Sequence, residues 1–372
     1  MPPKMPSPAD PRREPIQAWL AAHPNPTDRQ LAEAGYVAPH WPEPWGLGAD
    51  PELQLIVEDE LAKSGVVRPE NSIAIGWAGP TILAGGTEAQ QNRWLPGILD
   101  GSAEWCQLFS EPDAGSDLAS LGTKAELDGD EYVVNGQKIW STWANRSQWG
   151  ILLARTDPSA PKHKGISYFV LDMSTPGIEI RKIVEMTGGN HFNETFLTDV
   201  RIPVENRIGQ ENEGWRLAKV TLGNERVSLS EGGVLWGMGP TPDECLAEIQ
   251  ARGATNNPIT RQQAAELVSQ TKIIDLLGDK IVEAMMRGDD PGPEASIRKA
   301  LADVHGQDLM SMVKDLAGPA GMIGLQDEHS EELDPWHWGY LFSRALTIGG
   351  GTSEVQRNII GERLLGLPRE PS

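Results

Sequence analysis

One loop, and two residues a little further along the chain, carry the side chains with the clearest chemical use. The loop, Ser110–Asp117, is rich in hydroxyl and carboxylate groups and contains one proline and one glycine. Such loops present backbone N–H groups and short hydroxyls to a polar ligand. The alternation around Glu131–Gly136 predicts a strand, a turn and a second strand that delivers the indole of Trp140 and the hydroxyl of Thr142. Residues two apart on a strand face one side, so we expect both side chains to serve a flat heteroaromatic cofactor with a polar edge.

Three blocks of different periodicity surround these residues. Residues 1–15 predict a disordered arm, residues 16–104 a helical domain, residues 105–212 a domain of short strands and residues 213–372 a second helical domain. The predicted strands are 132–134, 150–154, 166–171, 178–180 and 195–199, and the clearest helices are 52–64, 88–99, 261–286, 295–316 and 353–364. This order predicts an α+β chain with an N-terminal α-helical domain, a middle β-barrel or sheet and a C-terminal helical bundle.

Composition argues against several classes of function. A formal net charge of −21 disfavours binding to nucleic acid or to an anionic membrane surface. No apolar run reaches the length of a membrane span, no signal-peptide pattern is present, and neither a Rossmann nor a P-loop motif occurs. Cys106 and Cys245 lack metal-ligand spacing, so we expect buried thiols, no metal site and a reducing, cytoplasmic compartment.

Several segments, in co-linear order from about residue 30 to residue 370, resemble the acyl-CoA dehydrogenase family of flavoenzymes. The segments are Trp105–Thr142, Pro80–Leu83 with Gly86–Gln91, Asp199–Pro203 followed by Gly209 and Gly214-Trp215, and Gly351–Arg357. The resemblance implies FAD, an acyl-CoA substrate oxidised to the trans-2-enoyl-CoA, and an electron-transfer flavoprotein as acceptor. Trp41-Pro42, Phe192–Glu194 and Leu364–Glu370 are similar to a steroid- and cholesterol-catabolism branch.

The resemblance also implies a glutamate base that removes the C2 proton while a hydride leaves C3. Family members place it either just before the Gly-Thr of the C-terminal signature or in the first helix of the C-terminal block. The first position is Gly350, which cannot act as a base, and the second is Glu225 within Leu222–Arg226. We therefore predict Glu225 as the base and Arg226 as a substrate-binding neighbour. The alternative for Glu225 is an ordinary helix-surface carboxylate.

Three sets of residues are implied to bind FAD: a run at the pyrimidine edge of the flavin, a group beside the ring, and part of the C-terminal signature. They are Gln107, Leu108, Phe109 and Ser110; Trp140, Ser141 and Thr142; and Thr352 with Glu354. Ser116 is implied to hydrogen-bond the CoA portion of the substrate. The alternatives are core packing for Trp140, a turn for Ser116 and a helix N-cap for Thr352.

Two departures from the family pattern concern the assembly. Arg252 matches an arginine that reaches the FAD pyrophosphate of a neighbouring subunit, but the aromatic residue and the glycine that usually follow are missing. Ala317–Gly321 replaces a Gly-Gly-Asn-Gly segment. Both a homo-oligomer and a heteromeric α2β2-type assembly with a related subunit therefore stay open. So do two other functions, a non-catalytic partner subunit and an oxygen-using acyl-CoA oxidase relative. His191 is a single imidazole, to which we assign a structural role.

Overall fold

The structure is a computed structural model that describes residues 6–69, 71–231, 234–286, 293–322, 324 and 333–369, excluding the side chains of residues 226–231, 234, 255, 285, 286 and 320. The described chain divides between Asn224 and Glu225 into two compact units, and residues 186–189 group with the second. The first unit contains the N-terminal helices and all the strands. The second contains most of the C-terminal helices.

The first unit begins with five helices. They are α1 (Arg13–Ala22), α2 (Asp28–Glu33), α3 (Pro51–Lys63), α4 (Gly79–Gly85) and α5 (Glu88–Leu99), with a π-helical stretch at Ser72–Ala78 before α4. Capping boxes explain two of the starts, because Thr27 pairs with Gln30 at α2 and Thr87 with Gln90 at α5. The two helices predicted in this block, over 52–64 and 88–99, are confirmed.

The predicted arm over residues 1–15 differs from the structure in its described part. Helix α1 starts at Arg13, whose side chain is buried. The Arg13 guanidinium pairs with Asp59 at 2.5 Å and also with Glu60, both on α3. The polar, proline-rich composition suggested disorder, whereas these long-range ion pairs order the segment. Local composition does not reveal such partners.

Eight strands form one mixed sheet. They are β1 (Trp105–Leu108), β2 (Lys124–Asp128), β3 (Glu131–Lys138), β4 (Trp149–Arg155), β5 (Ile166–Asp172), β6 (Ile178–Lys182), β7 (Asn193–Pro203) and β8 (Arg207–Ile208). The order is β6-β7-β3-β2-β4-β5-β8, and β1 pairs in parallel with β4. All five predicted strands are confirmed. Apolar side chains at alternate positions, such as Tyr132, Val134, Val200 and Ile202, form the core on one face.

The predicted turn within Glu131–Gly136 is wrong, because the turn lies at Gly129 and β3 continues to Lys138. Gly136 serves a different purpose inside the strand. A Cβ at this position would lie 2.7 Å from the Cα of Thr123, so the backbones approach too closely for any other residue. The glycine that suggested a turn instead permits a close approach between two segments of the sheet domain.

The second block of helices starts at α6 (Gly214–Glu231), which runs across the division between the units. It continues with α7 (Pro242–Ala251), α8 (Pro258–Met286), α9 (Glu294–Leu316), α10 (Pro335–Phe342) and α11 (Ser353–Ile359), which a π-helical turn extends to Leu364. Within the second unit, α9 contacts α7, α8, α10 and α11, so it is the central helix. The helices predicted over 261–286, 295–316 and 353–364 are confirmed. None of the described helices is both long and apolar enough to cross a bilayer.

Candidate active site

The segment Gln107–Ser110 comprises the last two residues of β1 and the two residues that follow it. Strand β1 pairs only with β4 among the described strands, with Leu108 opposite Leu152. Its other edge therefore has backbone donors and acceptors that no strand uses. The side chains of Leu108 and Phe109 are buried. These two residues can offer a ligand only their main chain.

The structure brings the first two predicted cofactor segments together. The N–H of Ile139 donates to the carbonyl of Ser110 at 2.9 Å, so the chain after β3 runs beside the end of β1. Of the residues that follow, Trp140 lies in a bend, Ser141 has no regular secondary structure and Thr142 begins a turn. Their predicted placement on a strand, with Trp140 and Thr142 facing one side, is therefore wrong. Their proximity to Ser110 arises from this tertiary contact.

Trp140 is 56% exposed, so core packing does not explain its presence. Its backbone has φ of 62°, in the left-handed region that a bulky L-residue rarely adopts. Its ring meets Phe192 edge to face, with centroids 5.9 Å apart. Strained backbone of this kind persists only where the surrounding structure imposes it, and it is concentrated at functional sites. An exposed indole in this conformation is available to stack on a flat ligand.

Hydrogen bonds to the start of β7 and to the loop before it hold the turn after Trp140. The N–H of Ser141 donates to the Asn193 carbonyl at 3.0 Å, and the N–H of Trp143 donates to the His191 carbonyl at 2.8 Å. The Nδ2 of Asn193 returns a bond to the Ser141 carbonyl at 3.1 Å. His191 itself contacts Glu185 through Nδ1 at 3.1 Å. These contacts agree with the structural role that we assigned to His191.

Two buried polar atoms where this turn meets β7 have no hydrogen-bond partner within the described part of the chain. They are the Oγ of Ser141 and the Oδ1 of Asn193, and both side chains are fully buried. Buried hydroxyl and amide oxygens are normally hydrogen-bonded, because leaving one unpaired costs about 1–3 kcal/mol. Such atoms beside a predicted cofactor segment suit a polar ligand edge, and Ser141 is one of the predicted FAD contacts.

Sequence reasoning missed a buried ion pair behind the loop. The Nζ of Lys138 donates to the Phe109 carbonyl at 3.0 Å and to Oε1 of Glu111 at 2.8 Å, and the Lys138 side chain is wholly buried. Burial lowers the pKa of Lys138 to about 8, against the opposing effect of Glu111. One signal was present, since Lys138 falls on the same face of β3 as buried Tyr132 and Val134.

Ser116 lies exposed in the second half of the loop. The loop is closed by reciprocal backbone bonds between Glu111 and Ala114 at 3.1 Å. The next residue, Asp117, pairs with Lys162 at 2.8 Å, and this hydrogen bond holds the pKa of Asp117 below its usual range. The serine hydroxyl is thus exposed at the surface, one position before the residue that pairs with Lys162.

In the second unit, Glu225 occupies a buried position on α6 and is only 9% exposed. A helix-surface carboxylate, the alternative weighed from the sequence, would be far more accessible to water. Shielding from water makes a carboxylate more basic, which suits a general base. Arg226 belongs to the same helix, but its side chain lies outside the described residues.

The C-terminal signature forms a glycine loop followed by α11. Thr352 caps this helix by accepting the N–H of Val355 at 3.3 Å, so its predicted capping role is confirmed. Gly350 has φ of 65°, and its carbonyl accepts the Nε2 of buried Gln356 at 3.1 Å. Glu354 is exposed in the first turn of α11, where hydrogen bonds from its own backbone and from Thr352 lower its pKa.

Arg252 ends α7, and its Nε donates to Glu248 one turn earlier at 2.6 Å. Gly253 follows in the left-handed conformation with φ of 85° and terminates the helix. The segment that departs from the family pattern, Ala317–Gly321, continues α9 into a short 3₁₀ helix at Gly318–Met322. Both features lie in the second unit.

Three family models together match most of the chain. They describe the N-terminal, middle and C-terminal domains of acyl-CoA dehydrogenases and match residues 10–102, 106–200 and 212–365. Acyl-CoA dehydrogenase FadE34 of Mycobacterium tuberculosis is 44% identical over 91% of the chain, which spans only 46% of FadE34. Acyl-CoA dehydrogenase IpdE1 of the same organism is 38% identical, with 92% of this chain and 88% of IpdE1 covered.

Solved structures agree with these sequence matches. The ChsE4-ChsE5 complex from Mycobacterium tuberculosis is 30% identical with a TM-score of 0.76, over 96% of this chain and 97% of the other. A steroid acyl-CoA dehydrogenase, Tcur3481-Tcur3483, is 29% identical with a TM-score of 0.78, over 98% and 94% of the two chains. The chain therefore belongs to the acyl-CoA dehydrogenase family, whose members are FAD-dependent flavoprotein oxidoreductases.

Proposed function

We propose that the chain binds FAD without a covalent link and dehydrogenates an acyl-CoA thioester to the trans-2-enoyl-CoA. Electrons then pass to an electron-transfer flavoprotein. The observation that carries this proposal is the burial of Glu225, 9% exposed, at the helical base position of a chain whose competing position is glycine. A non-catalytic partner subunit has no need of a buried carboxylate there.

The residues of the first unit fit a flavin. The unpaired Oγ of Ser141 and the open edge of β1 supply polar groups for a ring edge, and the exposed indole of Trp140 supplies a flat surface. FAD, when bound, provides the electron acceptor for the oxidation. Gln107–Ser110 and Trp140–Thr142 would hold its ring system, and Thr352, Glu354 and Arg252 would contact the rest of the molecule.

Glu225 would take the C2 proton of the substrate. That proton is weakly acidic even beside a thioester carbonyl, so the carboxylate must be shielded from water to be basic enough. Ser116 and Arg226 would bind the CoA thioester and orient C2 towards Glu225. Similarity to a steroid acyl-CoA dehydrogenase supports a bulky acyl group, such as a steroid side chain, as a substrate worth testing first.

The test is anaerobic bleaching of the purified protein with a panel of acyl-CoA thioesters, both straight-chain and steroid. We expect a visible flavin spectrum and loss of its absorbance with at least one thioester. A flavin that stays oxidised with every thioester, even after addition of a related subunit that copurifies with the chain, would contradict the proposed reaction. Hydrogen peroxide formation on admission of air would identify an oxidase instead.

We further propose that the active form contains at least two subunits, either identical or related. Apolar residues are 43–50% exposed on α8 and α9, namely Val268, Ile273, Leu276, Leu301 and Val304. Such residues on contacting helices favour a protein partner. Arg252 is expected to reach FAD only across a subunit boundary. Light scattering of the flavin-loaded protein should give the mass of two or more chains, and an active monomer would contradict this proposal.

A further inference from the structure

The buried ion pair behind the loop joins three separate backbone segments. Lys138 Nζ bonds the Phe109 carbonyl at 3.0 Å and Glu111 Oε1 at 2.8 Å. The carboxylate of Glu111 accepts the N–H groups of Gly122 at 2.6 Å and Thr123 at 2.9 Å. The end of β1, the start of β2 and the end of β3 are thus connected through two side chains. We call Lys138 and Glu111 the buried pair.

Stability alone is a weak explanation for the buried pair. Desolvation of two charges largely offsets their attraction, and apolar residues of similar volume often serve a fold as well. A charged pair has one property that apolar residues lack, because its positive and negative ends are held in a fixed orientation. Nζ bonds Phe109 directly, whereas the carboxylate bonds Gly122 and Thr123, so the positive end of the pair faces the segment Gln107–Ser110.

We propose that Lys138, held by Glu111, is a positioning residue for FAD, which fixes the Phe109 carbonyl and sets a positive charge behind the flavin-binding segment. This inference rests on the proposed function, because it takes Gln107–Ser110 as a contact of the flavin. The neighbouring bond from Ile139 to Ser110 ties the same segment to Trp140–Thr142. The buried pair therefore sets the geometry of two cofactor segments at once. A positive charge there also favours the reduced, more negative flavin.

Three variants test this role. Lys138→Met removes the charge and the donor to Phe109. The double variant Lys138→Met/Glu111→Gln also neutralises the carboxylate that the single variant would leave buried and unpaired. Lys63→Met is the control, because Lys63 is partly exposed on α3, where it pairs with Asp59 at 2.6 Å and with Glu60 at 3.1 Å, outside the loop and the sheet.

The measurements are the FAD dissociation constant from flavin fluorescence, the flavin midpoint potential, and the unfolding of the apoprotein in urea. We expect Lys138→Met to weaken FAD binding on the order of tenfold or more and to make the potential more negative. The double variant should recover apoprotein stability but neither the affinity nor the potential. Lys63→Met should match the parent in FAD affinity and in flavin potential.

The outcomes separate the two proposals. A parent protein that binds no FAD, alone or with a related subunit, overturns the proposed function and the positioning role with it. A parent that binds FAD, with both Lys138 variants at its affinity and potential, overturns only the positioning role. The positioning role is also overturned if the double variant recovers FAD affinity and flavin potential together with stability. The buried pair would then serve only the fold.

Discussion

The N–H of Ile139 donates to the carbonyl of Ser110 at 2.9 Å. This bond joins residues 29 positions apart and sets the loop after β1 beside the turn after β3. Every proposed flavin contact of the first unit lies within three residues of one of its two ends. The environments around this contact and the residues of the second unit lead to five predictions.

Glu225→Gln should retain FAD and bind acyl-CoA but reduce the flavin at least 10²–10⁴-fold more slowly, in the range typical of a lost general base. The amide matches the carboxylate in size but cannot accept the C2 proton. Anaerobic stopped-flow bleaching measures the rate. Glu266→Gln, at an exposed position on α8, is the control and should behave as the parent. Bleaching of Glu225→Gln at the parent rate would show that Glu225 is structural.

A glutamate at the competing position should not rescue this variant. Gly350 has φ of 65°, which strains any residue with a Cβ, and its carbonyl is bonded by Gln356. We therefore expect Gly350→Glu in the Glu225→Gln background to stay inactive and to lower the unfolding midpoint. Recovery of flavin reduction in the double variant would show that the loop tolerates a base there.

Ser141→Ala should weaken FAD binding roughly three- to tenfold, the value of one neutral hydrogen bond, and leave apoprotein stability unchanged or slightly higher. The hydroxyl has no partner among the described residues, so its removal breaks no bond there. Ser147→Ala is the contrasting control, because the Ser147 Oγ donates to the Trp143 carbonyl at 3.0 Å. Ser147→Ala should lose about 1 kcal/mol of stability, and its FAD affinity should fall less than that of Ser141→Ala. Unchanged FAD affinity in Ser141→Ala would remove Ser141 from the proposed site.

Thr352→Ala should lower stability by about 1 kcal/mol through loss of the N-cap of α11, whereas Thr352→Ser should retain it. If Thr352 also contacts FAD, the alanine variant should bind FAD more weakly than the serine variant. Urea unfolding of the apoproteins and flavin titration separate the two effects. Equal FAD affinity in both variants would leave Thr352 with the capping role alone.

The stability of the apoprotein should depend on pH through Lys138. Burial lowers the pKa of Lys138 to about 8 in the folded chain, from 10.5 for an ordinary lysine. Between these values the unfolded state holds the proton and the folded state does not, so stability rises with pH by about 1.4 kcal/mol per unit. Relative to Lys138→Met/Glu111→Gln, the parent should gain about 2 kcal/mol in urea unfolding from pH 7 to pH 9.5. If the difference in stability between the parent and the double variant does not change between pH 7 and pH 9.5, the pKa of Lys138 is not lowered.

Local pattern was sufficient for most of the elements. Alternation identified five strands of the sheet, and helical spacing identified α3, α5, α8, α9 and α11. These patterns succeed because each element must bury one face, and burial leaves a period of 2 or 3.6 in the sequence. The co-linear motifs likewise led to the family, because their residues are adjacent in the chain.

The sequence by itself thus determined the succession of helical and strand blocks, about half of the individual elements, and the family. Only the tertiary structure decided which side chains meet. Trp140–Thr142 lie outside the predicted strand, and Arg13 forms ion pairs with carboxylates on α3. Lys138, at the end of a strand, is buried and paired with Glu111. Each of these contacts depends on partners far away in the chain, which register and packing select and which the local sequence does not name. The burial of Glu225 has the same origin, since a helical position becomes a dry one only when other elements cover it.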